Sequence, residues 1–131
     1  MLVVGFLSAA LLFGGMVLYS FGFAAFIFRS LPAELAGPTI RKAFPYFYLF
    51  VLGTSSVSAL FIFPFDQIGG ALLACIALTT IPTRQILMHA INRATDNADR
   101  SAFRKLHGLS VAITLSHIGI SAWTLIRLLR T

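Results

Sequence analysis

From Leu2 to Phe28 the chain carries no charged side chain. At about 1.5 Å of rise per residue, a helix of that length crosses a hydrocarbon layer of about 30 Å with some tilt. Three further runs follow. Ala43 to Phe65 and Gln67 to Thr83 are free of charge, and Leu106 to Ile126 is interrupted only by His107 and His117. The third run is short, so its helix is expected to continue past Arg84, whose long side chain can snorkel to the interface. The reading is an all-α integral membrane protein: a four-helix antiparallel bundle in one domain over 1–131. Its spans are about 2–28, 43–65, 67–88 and 104–128.

Composition agrees. The chain is 131 residues long, 58% hydrophobic and 11% charged, where soluble domains carry about 25% charged residues. So short a chain cannot bury that much apolar surface in its own core, and the surplus must face lipid. The net charge of +6 comes from ten Lys and Arg. These sit at segment ends rather than in a patch interleaved with aromatics, which excludes nucleic acid as a partner. The lipid bilayer is the partner the composition requires. Cys75 stands alone in an apolar run and reads as an inert core residue.

The connections set the packing and the orientation. Only "FPFDQIGG" separates spans two and three, so they form a tight antiparallel hairpin. In "RSLPAELAGPTIRKAFP", Pro32 and Pro38 suit first-turn helix positions and Gly37 suits a helix end. A short interfacial turn is expected there, with Pro45 bending the second helix near the membrane surface. All Lys and Arg except Arg127 and Arg130 fall in the first and third connections or at their edges. Basic residues mark the cytoplasmic side, so both termini are expected outside the cytoplasm. The membrane is an inner, plasma or equivalent energy-transducing one.

The polar segment after the third run has a helical pattern. At about 100° per residue, Arg84, Gln85, Met88, His89, Asn92 and Arg93 share one half of a helix, with Leu87, Ala90, Ile91 and Ala94 opposite. This is an amphipathic cytoplasmic extension of helix three. Asp96, Asn97, Asp99 and Ser101 are N-cap candidates for helix four, and Arg104 and Lys105 would anchor that helix at headgroup level.

Inside the spans, His107, Ser110, Thr114, His117 and Ser121 lie within an arc of about 80° on helix four. Polar groups are costly in hydrocarbon, so the stripe should face the bundle interior or a water-lined cavity. Thr54, Ser55, Ser56 and Ser58 on helix two, and Thr79, Thr80 and Thr83 on helix three, are the available partners. His117 lies deepest and is expected to bond a hydroxyl or the carbonyl freed by Pro82. Ser8, Gly15 and Gly22 recur every seven residues and read as a close-packing seam of helix one. No paired carboxylates lie within a span, and no phosphate loop, nucleophile elbow or HExxH is present. His107 and His117 would stand about 15 Å apart along one helix, which is not metal-site spacing.

At "GGMVLYSFGFAAFIFRSLPAELAGPTIRKAFPYFY" the sequence resembles the transmembrane-protein-205-like family, whose bacterial members carry the domain of unknown function 4149. The resemblance runs through Gly14-Gly15, Leu31-Pro32, Gly37 and Phe44-Pro45-Tyr46. It resumes at Pro82, Asn92-Arg93, Asp96, Phe103, Leu106-His107 and Ser110. It implies a four-helix membrane domain with no settled activity. At the level of architecture alone, the chain is similar to four-helix haem-binding membrane proteins and to membrane copper proteins. The expectation is a non-enzymatic, transport- or efflux-associated unit, or an accessory subunit of a larger membrane complex. Either role implies homo-oligomers or other membrane subunits. The alternative is a haem- or metal-binding redox protein using His107 and His117.

Overall fold

The computed structural model describes residues 1–131. Four helices account for nearly all of it: helix one Leu2–Ser30, helix two Ala33–Ile62, helix three Gln67–Asp96 and helix four Arg100–Leu129. Each is long and apolar enough to cross a membrane. There is no strand.

The connections are shorter than the sequence suggests. Pro32 pushes the residue before it out of the α region. Leu31 accordingly adopts φ −113°, ψ 148° and ends helix one. Helix two begins at the next residue after Pro32 and runs unbroken through Pro38 and Pro45. The interfacial turn expected over this stretch is therefore corrected: the segment is the first part of helix two, and Gly37 ends nothing. Pro32, at the N-cap, gives up an amide that had no helical partner, whereas Pro38 and Pro45 lie inside the helix, each at the loss of one backbone bond, without ending it.

Helices two and three are joined by Phe63–Asp66, an antiparallel hairpin as expected. It closes tightly. A Cβ on Gly70 would meet the backbone of Phe63 at 2.5 Å, so only glycine permits this approach. Helix three ends in a Schellman motif, with the Asp99 amide donating to Ala94 O (2.9 Å) and the Ala98 amide to Thr95 O (3.1 Å). Ala98 takes the left-handed position at φ 51°. Asp99 then caps helix four, its Oδ1 accepting from the Ala102 amide at 3.1 Å.

Two stretches widen into π-helix, Leu18–Phe23 and Thr83–Leu87. The second directly follows Pro82, whose missing amide disrupts the regular ladder. Helix three nevertheless continues to Asp96, and its last part is amphipathic as read: Leu87 and Ala94 are buried while Gln85, His89 and Arg93 are exposed.

The apolar core consists of Ala9, Leu12 and Met16 of helix one, Phe47, Tyr48, Val51 and Ile62 of helix two, and Leu73 and Ile76 of helix three. Helix four contributes no residue to it. The seam of helix one is real but shifted. Gly15 lies against the ring of Phe50, Gly5 against Ile62, and Ser8 Oγ donates to Thr54 O at 3.1 Å. Gly22, by contrast, meets only the Leu18 side chain of its own helix.

Candidate functional site

Every fully or nearly fully covered residue of helix four is polar: His117, Ser121 and Thr124. The helix turns its polar stripe inward because lipid offers those groups no partner. Its outer face carries Leu109, Val111, Leu115, Trp123 and Ile126, all exposed.

Most of the buried hydroxyls are satisfied by their own helix. Ser121 donates to Ile118 O at 2.9 Å and Thr124 to Ile120 O at 2.9 Å. Ser55, Ser58, Thr80 and Thr83 donate to the carbonyl four residues earlier at 2.6–2.7 Å. Thr54 does likewise to Phe50 O at 2.7 Å. Such back-bonding is the ordinary fate of a hydroxyl inside a helix.

Three polar contacts tie helix four to its neighbours, one at each depth. Near its start, Ser110 Oγ lies 3.2 Å from the hydroxyl of Tyr48. At mid-length, His117 Nε2 lies 2.8 Å from Thr79 Oγ1. Near its end, Arg127 Nε donates to Asp66 Oδ2 at 2.7 Å. The Arg127 guanidinium also sits 5.5 Å from the ring centroid of Trp123, a cation–π distance. Its hydrogen bond to Asp66, aided by the Gly69 and Ile68 amides, holds that carboxyl below the usual range against the opposing effect of burial.

His117 is 8% exposed. Its partner Thr79 has already given its hydroxyl hydrogen to Cys75 O at 2.7 Å. The Thr79 oxygen therefore accepts from an Nε2–H, which leaves the ring's lone pair on Nδ1. His117, Thr79, Cys75 and Ser116 line a cleft of about 290 Å³ between helices three and four. Cys75 is exposed there, which corrects its reading as a core residue: its side of helix three faces the cleft mouth, not helix two.

The other sequence candidates fall in different places. His107 is exposed and stacks on Phe103 at 5.3 Å, the rings 6° apart. It lies outside the bundle interior although helices two and three still run alongside at that end, where Arg41 holds Asp96. Thr114 is half-buried, with no side-chain hydrogen bond of its own. Among the interfacial residues, His89, Arg93, Asp99, Arg104 and Lys105 are exposed and Asn92 is half-buried. Arg84 does more than snorkel. Its Nε donates to Pro45 O at 3.3 Å, joining helix three to helix two. Asp96 is held by Arg41 through two bonds of 2.6 and 3.0 Å.

Sequence reasoning missed Asp66, Arg127 and Tyr48. A lone acid in the hairpin and a basic residue closing helix four at the same membrane face were the available signal. Ser20 Oγ, in the π stretch of helix one, is enclosed with no hydrogen-bond partner.

Neither the curated proteins nor the solved structures compared with the chain include a match. A family model does match, described as Domain of unknown function (DUF4149), over residues 7–100. The matched residues span helices one to three and stop where helix four begins. Since they make up well over half of the chain, the protein belongs to the DUF4149 family.

Proposed function

We propose that the protein is a non-enzymatic membrane unit, transport- or efflux-associated or an accessory subunit, that works packed against other membrane chains or copies of itself. The observation behind this reading is the filled interior. Leu12, Met16, Phe47, Leu73 and Ile76 are fully buried where the helices meet, and two hollows between helices three and four open sideways rather than along the bundle axis. A bundle with no bore of its own needs a second chain to build a pathway. Blue-native electrophoresis in mild detergent is expected to give a species of at least twice the 14.2 kDa chain mass. A sharp monomer under every mild condition would overturn the proposal.

The proposed orientation puts both termini on the non-cytoplasmic face of an inner, plasma or equivalent membrane. It rests on the exposed basic residues Arg29, Lys42, Arg93, Arg100, Arg104 and Lys105 at the opposite end. In a Cys75→Ser background, Asn97→Cys should be labelled from the cytoplasmic side. Labelling only from outside reverses the topology.

A second reading, haem or metal binding through helix four, is favoured by the unbonded ring nitrogen of His117. Against it, His107 is exposed elsewhere, and no group of three or more His, Cys, Asp or Glu side chains is placed to hold a metal ion. The visible spectrum of the purified protein decides the haem version. A near-stoichiometric Soret band supports it, and absence of that band after expression with ample haem removes it.

A further inference from the structure

We propose that the cleft beside His117 binds a neutral, membrane-dissolved molecule with a hydroxyl on a ring, a lipophilic phenol or hydroquinone. The inference stands apart from the oligomeric reading and names a ligand class for a surface that reading leaves unassigned.

The argument is an inventory of hydrogens and lone pairs. Thr79 spends its hydroxyl hydrogen on Cys75 O. Ser116 spends its own on Ala112 O at 2.8 Å. His117 spends its Nε2–H on Thr79 Oγ1. All three residues line the same cleft. Every strong donor in the cleft is thus committed, and what remains is acceptor capacity: Nδ1 of His117 and a lone pair of Ser116 Oγ. In the hydrocarbon layer no water is at hand to use it. A ligand that fits must bring a donor.

The donor must also be uncharged. No carboxylate lines the cleft, and two neutral lone pairs do not offset the cost of moving a cation into hydrocarbon. A hydroxyl meets both conditions. The shape then favours a flat group. The volume, about 290 Å³, lies at the small end of ligand sites. The helix-four wall is low at Ala112 and Ser116, and at Gly119 in the adjoining hollow a Cβ would meet nothing within 4 Å. A ring can lie across such a surface, which a branched chain would only partly cover.

There is also room for a tail. A second hollow of about 530 Å³ shares Ser116 and Ile120 with the first and extends to Gly119, Trp123 and Leu72. Both hollows open to the side, so the ligand enters from the bilayer. Trp123 is the only tryptophan in the chain and lies on this path, 47% exposed.

That placement supplies the test. The purified protein in lipid nanodiscs is titrated with 4-nonylphenol while Trp123 emission is followed, and again with 4-nonylanisole, which keeps the shape and lacks the donor. The phenol is expected to produce a saturable change and to bind about tenfold more tightly than the ether, the value of one good hydrogen bond. His117→Leu should bring the phenol to the level of the ether and leave the ether unchanged. Ser116→Ala, on an open face where folding is not at stake, should weaken the phenol about threefold. Equal binding of phenol and ether overturns the proposal, as does the lack of a saturable response to either. Should His117→Leu fail to fold, the phenol-to-ether ratio in the unmodified protein and in Ser116→Ala still decides.

Discussion

Helices one to three and helix four are held in this bundle by different means. The first three share a core of Leu12, Met16, Phe47, Val51, Ile62, Leu73 and Ile76, closed by glycines that let helix backbones approach. Helix four lays partly covered Ile118, Ile120, Leu125 and Leu128 against that core, and everything it buries completely is polar. In lipid there is no hydrophobic force between helices, so association rests on close packing and on polar contacts. The trio relies chiefly on the first, with Ser8–Thr54 and Arg84–Pro45 as polar additions, and helix four leans more on the second. The difference teaches that one membrane bundle can combine a jigsaw with a set of latches, and that the two should respond to mutation differently.

The largest effect should come from the jigsaw. Phe47→Ala leaves a cavity where a fully covered ring packs against Tyr19, Phe44 and Tyr48. It is expected to cost about 3 kcal/mol, measured by unfolding in mixed micelles. A cost under about 1 kcal/mol would mean that the core is not what holds the trio.

The middle latch comes next. His117→Leu removes the contact to Thr79 and should cost about 1 kcal/mol, while His117→Gln, which can still reach a hydroxyl, should be nearly neutral. If both cost as much as Phe47→Ala, the contrast between the two regions fails.

The smallest effects should come from the ion pairs, and these should differ from each other. Asp66 in its pair has a side chain only 6% exposed, with Arg127 at 35%. In the pair at the other end, Arg41 and Asp96 are 43% and 56% exposed. Asp66→Asn should cost about 0.5–1 kcal/mol at pH 7, and Arg41→Gln should change nothing measurable. The pH dependence sharpens this. Arg127 lowers the folded pKa of Asp66, so the stabilisation is complete above the unfolded carboxyl value of about 3.9 and is lost as pH falls through the lower, folded value. Unfolding midpoints taken from pH 7 to pH 3 should therefore fall more steeply for the unmodified protein than for Asp66→Asn.

Much of this was legible in the sequence, and for clear reasons. Charge-free runs mark spans because hydrocarbon tolerates little else, so all four helices were readable. The arc of His117 and Ser121 marked the inward face of helix four, since the period of 3.6 is fixed by the backbone. Asp99 was among the readable caps because its position before a helical run has a local mechanism. What escaped depends on how the helices are rotated against each other. Hydropathy does not tell Tyr48 that it will meet Ser110, or Asp66 that it will meet Arg127. Cys75 looked interior because its neighbours in the chain are apolar, yet in lipid an apolar neighbourhood is equally that of an outer face. His107 belongs to the same arc as His117, but near the start of helix four it is Ala102, Phe103 and Leu106 that are partly covered and His107 that is exposed, a change of covered side that the arc alone does not reveal.

Chains are synthesised from the N-terminus, so the order of assembly follows from the polar attachment of helix four. Helices one to three can close their apolar core before the last helix leaves the ribosome. Until it arrives, Tyr48, Thr79 and Asp66 stand at three levels of a finished surface without their partners. The fourth helix then has a ladder of three rungs to find, and a helix sliding past by a turn or entering upside down would match at most one of them. Registration of the last span is thus written into the first three before it exists.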